Sequence, residues 1–99
     1  MSLKRYVLSV PADQDLEDIF DYTKQEFGEK QAVEYLIELE ELFIQLLANP
    51  ELGRERNEIK QDLRSMVKNA HVVFYHIMDD HIRVVRVLHG SRDMPNFLE

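Results

Sequence analysis

Ninety-nine residues, 44% hydrophobic and 31% charged, describe one globular domain rather than a disordered chain, long enough to bury roughly 60–70% of its unfolded surface in a single modest core. No cysteine is present, which excludes a disulfide framework and a thiolate metal site, and no apolar run approaches the ~18 residues of a membrane span. A net charge of −7 speaks against non-specific nucleic-acid binding, where a basic surface supplies most of the affinity. The charge is uneven. Residues 1–52 hold four Lys/Arg against twelve Asp/Glu, and residues 53–99 hold eight against seven, so an acidic protein can still present a locally basic surface. The opening MSLKRYVLSV has too short an apolar segment for a secretory signal, and a cytoplasmic location is the expectation.

Lys4–Val10 alternates Tyr6, Leu8 and Val10 with Arg5, Val7 and Ser9, the period of a strand with one better-buried face. Pro11 ends it and suits the first turn of a helix. Ala12–Phe27 reads as that helix, with Leu16, Ile19, Phe20, Thr23 and Phe27 in one apolar stripe. Asp13, Asp15, Glu17 and Asp18 crowd its first turns, where the positive end of the helix dipole favours them, and read as a solvated face rather than a metal site. Gly28 caps it. Glu29–Ala48 reads as a second helix, joined so tightly that the two form an antiparallel hairpin. Its stripe of Ala32, Leu36, Leu39, Phe43, Leu46 and Leu47, widened by Val33, Ile37 and Ile44, exceeds what one packing partner needs. Asn49-Pro50 stops it.

Glu51–Asp62 is polar and reads as a loop with room for a turn of helix. Leu63–Val67 is a short strand, and His71–Met78, apolar on both faces, a central one. Asp79-Asp80 turns the chain into the strand Ile82–Leu88, which Arg83, Arg86 and His89 punctuate with cations before Gly90 breaks it. Met94–Glu99 is a short tail able to dock through Phe97 and Leu98 or to fray. The order strand, helix, helix, strand, strand, strand defines an α+β two-layer sandwich, β-α-α-β-β-β, with the helical hairpin on one face of a mainly antiparallel sheet and the cations on the other. Strand order and the partner of the first strand stay open.

No GxSxG, glycine-rich phosphate loop, HExxH or CxxC is present, which disfavours the enzyme classes built on them. His71, His76, His81 and His89 lack the carboxylate spacing of a metal site and read as structural, so no metal and no cofactor is expected. Arg64, Arg83, Arg86, His89 and Arg92 form the more specific group. Arg83 and His89 share a strand parity that Arg86 does not, so a common face requires a bulge or twist near Val84-Val85. Two readings stand. One is a phosphate-binding or RNA-cleaving surface with His89 as acid or base; the other, slightly favoured, has Arg86 and Arg92 paired with Asp93, Glu58 or other carboxylates.

ELGRERNEI, then LRS, HVVFYHI and IRVVRVLHGSRD, in this order after an acidic helical hairpin, resemble the ParE toxins of the ParE/RelE toxin–antitoxin superfamily. The resemblance covers nearly the whole chain and is most specific at Arg64-Ser65, His71–Tyr75 and Arg86–Asp93. It implies a toxin that inhibits DNA gyrase and blocks replication by protein contact, without catalysis of its own. It implies a ParD-like antitoxin whose C-terminal segment wraps the toxin, with operator DNA met only through that antitoxin. Toxicity is then expected of the region Arg64, Arg86, His89, Arg92 and Asp93, and antitoxin contact of Phe20, Phe27, Leu36 and Phe43. The alternative is a RelE-like ribosome-dependent mRNA endonuclease of the same fold. The acidic charge and the lack of a tyrosine after Val87 favour gyrase. A degenerate toxin that only sequesters antitoxin is a third reading, against which the intact 86–93 stretch argues.

Overall fold

The computed structural model describes residues 3–90, so Arg92, Asp93 and the tail with Phe97 and Leu98 lie outside the described residues. The elements are β1 (Arg5–Leu8), α1 (Val10–Phe27), α2 (Glu29–Ala48), a 3₁₀ turn at Pro50–Leu52, β2 (Arg54–Glu55), β3 (Leu63–Lys68), β4 (His71–Ile77) and β5 (His81–His89). They form the expected two-layer α+β sandwich. The sheet order is β1-β5-β4-β3-β2. Three pairings are antiparallel, whereas β1 runs parallel to β5, from Arg5 opposite His81 to Leu8 opposite Val84. A parallel neighbour needs a long crossover, which the helical hairpin supplies.

Helix α1 starts two residues earlier than the sequence suggests. Ser9, not Pro11, closes the strand: its hydroxyl accepts from the Ala12 N–H at 3.0 Å as an N-cap, which turns Val10 out to 85% exposure instead of into the core. Gly28 is the whole connection between the helices. Its φ of 94° lies in the left-handed region, where a side chain would be strained; its N–H closes α1 on the Lys24 carbonyl and its carbonyl opens α2 by accepting from Ala32. The hairpin buries Ala12, Ile19, Tyr35, Leu39, Leu42, Phe43 and Leu46 against Val73, Tyr75, Ile82, Val84 and Val87 of the sheet. Val33, Ile37 and Ile44, expected to widen the stripe, stay exposed.

The opposite face of the sheet is not a plain cationic surface. Leu63, Val72, Phe74 and Leu88 make a second buried cluster there, with Ile59 and Val85 packed on it. Residues between β2 and β3 supply the cover, and the Arg56 guanidinium stacks over the Phe74 ring at 5.7 Å. The polar loop read from the sequence therefore includes a two-residue edge strand and a lid on a small core.

The β4–β5 ladder slips by one residue between Phe74 and Tyr75: Tyr75 faces Val84, and Phe74 faces Arg86. Val85 is the extra residue, at the place where a common face for the cations would require a bulge or twist. Beyond it Arg86 shares register side with Arg83, whose partner is His76, and His89 pairs with His71 on the side of Val73 and Tyr75.

Candidate functional site

Strand β1 stops at Leu8, but β5 continues to His89, so beyond Val84 the outer edge of β5 has no strand partner among the described residues. Buried main-chain groups there must find other partners. Ser9 supplies two, giving its N–H to the Val84 carbonyl at 3.0 Å and its hydroxyl to the Val85 carbonyl at 2.7 Å. Asp15 of α1 supplies the next: its Oδ2 accepts from the Val87 N–H at 2.9 Å. The same carboxylate takes Arg86 in a fork, Nε on Oδ2 and Nη2 on Oδ1, both at 2.8 Å. Asp15 is 8% exposed. Its hydrogen bonds to the guanidinium raise the Arg86 pKa above the ordinary value. Asp15 thus departs from the solvated face expected for the acidic cluster, while Asp13, Glu17 and Asp18 keep to it.

Beside this fork lies a groove of ≈ 920 Å³ between α1 and the ends of β4 and β5, lined among others by Tyr22, Phe27, Tyr35, His71, Arg86 and His89. Tyr35 donates its hydroxyl to the Lys68 carbonyl at 3.0 Å. A hydroxyl has one proton, so its oxygen accepts from His71 Nδ1, at 2.8 Å. The His71 and His89 rings meet edge to face, centroids 5.7 Å apart. Burial, and after it the charge of His89, push the His71 pKa below its ordinary value. Among the described residues, no group of three or more His, Asp or Glu side chains is placed to hold a metal ion.

A second groove, ≈ 560 Å³, opens between the two helices on the other flank of α1. Phe20 and Leu36 line it, half-buried, and Phe43, 1% exposed, is part of its floor. Asp13, Glu17, Asp21 and Glu40 also line it, and Glu40 accepts from the Tyr6 hydroxyl at 3.0 Å. Phe27, 67% exposed, belongs to the other groove. The four residues expected to meet an antitoxin are therefore not one surface.

The cationic group divides as well. Arg86 and His89 share the larger groove, but Arg64 does not line it. Arg64 faces the 3₁₀ turn and β2 instead, donating to the Gly53 carbonyl at 2.7 Å, the Glu51 carbonyl at 3.3 Å and Glu55 Oε1 at 3.2 Å. Glu58 pairs with Arg56 at 2.8 Å, not with Arg86. Sequence reasoning missed Asp15 and Tyr35, although both stand in helical register with buried positions: Asp15 between Ala12 and Ile19, Tyr35 between Ala32 and Leu39. A carboxylate in an apolar stripe signals a buried partner elsewhere in the chain.

This helical hairpin laid on a small mixed sheet has a solved counterpart. A chain of the solved structure "Chromosomal ParDE TA system from P. aeruginosa" superimposes with a TM-score of 0.75 over 89% of this chain and 96% of that one, at 16% identity, which establishes the fold. The family model "ParE toxin of type II toxin-antitoxin system, parDE" matches residues 6–94, and the chain belongs to that family. It is 40% identical over 91 residues to Toxin ParE1 of Mycobacterium tuberculosis, spanning 91% of this chain and 93% of the relative. To Toxin ParE1 of Caulobacter vibrioides it is 34% identical over 89 residues, spanning 90% and 92%.

Proposed function

We propose that this ParE toxin inhibits DNA gyrase in the cytoplasm, so blocking replication, and is neutralised by a ParD-like antitoxin. The reading is carried by where positive charge goes. In a domain of net charge −7, Arg64 and Arg86 turn to Glu55 and Asp15 of their own chain. Guanidinium groups held by internal carboxylates are poorly placed to gather the phosphates of an RNA, whose binding rests on cation–phosphate contacts. A protein target imposes no such demand. The end of β5 at His89, with Arg92 and Asp93 further along the sequence, is the region assigned to that target. The antitoxin is assigned to the groove between the helices, with Phe20 and Leu36 as contacts over Phe43, as an apolar cleft takes an amphipathic helix. Operator DNA is reached only through the antitoxin.

Purified toxin added to gyrase and plasmid is expected to suppress supercoiling and trap cleaved DNA, and antitoxin to reverse both. Unchanged gyrase activity together with cutting of ribosome-bound mRNA would transfer the protein to the endonuclease reading.

A further inference from the structure

We propose that Asp15 and Arg86 are a positioning pair for toxicity: Asp15 is required for it, and Arg86 works through Asp15 rather than by meeting the target. The proposal rests on assigning the end of β5 to the target. Three observations lead to it. The Arg86 side chain is only 17% exposed and the Asp15 side chain 9%, and both ends of the carboxylate are engaged by one guanidinium. A target that drew Arg86 away would strand a buried carboxylate without its counter-charge, which is strongly unfavourable. The second observation is what else the carboxylate holds. Its Oδ2 is the acceptor for the Val87 N–H, two residues before His89, on the edge of β5 where β1 has ended.

The third is the bulge at Val85, which interrupts the ladder to β4 one residue before Arg86. At this point the pairing of β5 with β1 has ended on one side and its regular register is broken on the other. The Asp15 fork takes over the anchoring, fastening the N-terminal half of α1 to the segment from which His89 and Gly90 lead out toward 91–93. Arginine is suited to this because its planar fork fixes direction as well as charge, which a lysine would not do.

The test is a four-way comparison of wild type, Asp15→Asn, Arg86→Gln and the double variant, read as growth arrest on induction in cells without antitoxin. Arg86→Gln leaves the buried Asp15 carboxylate without the guanidinium that forks it, Asp15→Asn takes from Arg86 its carboxylate partner in the fork, and the double variant removes both charges of the fork. A positioning pair predicts that Asp15→Asn loses growth arrest as Arg86→Gln does, and that the double variant is no worse than either. Growth arrest by Asp15→Asn at the wild-type level, with Arg86→Gln inactive, would mean that Arg86 meets the target itself and would overturn the proposal; so would full toxicity of both. Two measurements separate positioning from general stability. Antitoxin binding, on the other flank of α1, is expected to be unchanged in Asp15→Asn. Amide exchange at Val87–His89 is expected to rise roughly 10- to 100-fold, as for a lost charge-assisted hydrogen bond, with α2 unaffected. A rise throughout the domain, or lost antitoxin binding, would make the pair a general stability element and overturn the assignment. Growth arrest reads toxicity whatever the target, so failure of the gyrase assay and failure here are distinct results.

Discussion

Replacing Gly53 by Ala tests how the motif ELGRERNEI builds the edge of this domain. The φ of Gly53 is −74°, which any residue adopts, so backbone strain is not at issue. Space is. A Cβ would lie 2.5 Å from the Tyr75 hydroxyl, 2.7 Å from its Cε1 and 2.9 Å from the Ser65 carbonyl oxygen. Tyr75 is fully buried, and its hydroxyl already accepts from the Gly53 N–H at 2.8 Å and donates to the Pro50 carbonyl at 2.6 Å. Relief requires that the ring move, which costs about 1–3 kcal/mol for overpacking. It also weakens two hydrogen bonds worth about 1 kcal/mol each. A total of about 2–4 kcal/mol lowers the melting temperature of a domain this size by on the order of 10–20 °C. Thermal unfolding followed by circular dichroism reads it. Tyr75→Phe removes the nearest clash and the same hydrogen bonds, so the double variant should be more stable than the two single losses summed, by about 1 kcal/mol or more. A melting temperature for Gly53→Ala within about 3 °C of wild type, or strict additivity, would refute the reasoning.

Arg64→Ala releases the Gly53 carbonyl and Glu55, and denaturant unfolding should show a loss of about 1–3 kcal/mol; lost toxicity at full stability would instead make Arg64 a target contact. Phe43→Ala, in the core, is expected to cost about 3–5 kcal/mol, whereas Phe27→Ala, on the surface, should stay within about 0.5 kcal/mol, both by urea titration. Because burial holds the His71 pKa down, the folded protein resists a proton that the unfolded chain accepts. Stability is fully present above the ordinary value of 6.5 and declines as pH falls below it; His71→Gln should flatten that slope in melts between pH 7.5 and 5.

The hairpin and the meander were legible because each rests on local signals: helical spacing through Leu39 and Leu46, a lone Gly28 between two helical patterns, and apolar residues on both faces of His71–Ile77. The bulge at Val85 stood in the sequence only as a condition for a common cationic face, and it brings Arg86 to the register side of Arg83 while leaving His89 on the other. What stayed hidden depends on distant residues. Nothing local says that Arg5 lies opposite His81, or that Asp15 meets Arg86 across 71 positions. Charge alone assigned Asp15 to solvent, because a dipole-matched acidic turn is the commoner arrangement. The cations were assigned to an open sheet face because the polar stretch before Leu63 gives only Ile59 as a hint that it folds back over Phe74.

The pairing of the first strand with the last has a temporal meaning. During synthesis Arg5–Leu8 is made 76 positions before its neighbour in the sheet, 81–84. The helical hairpin can form on the way, but the surface it covers is completed only when β5 slides between β1 and β4. Until β5 is made, the chain lacks the edge on which Asp15 closes.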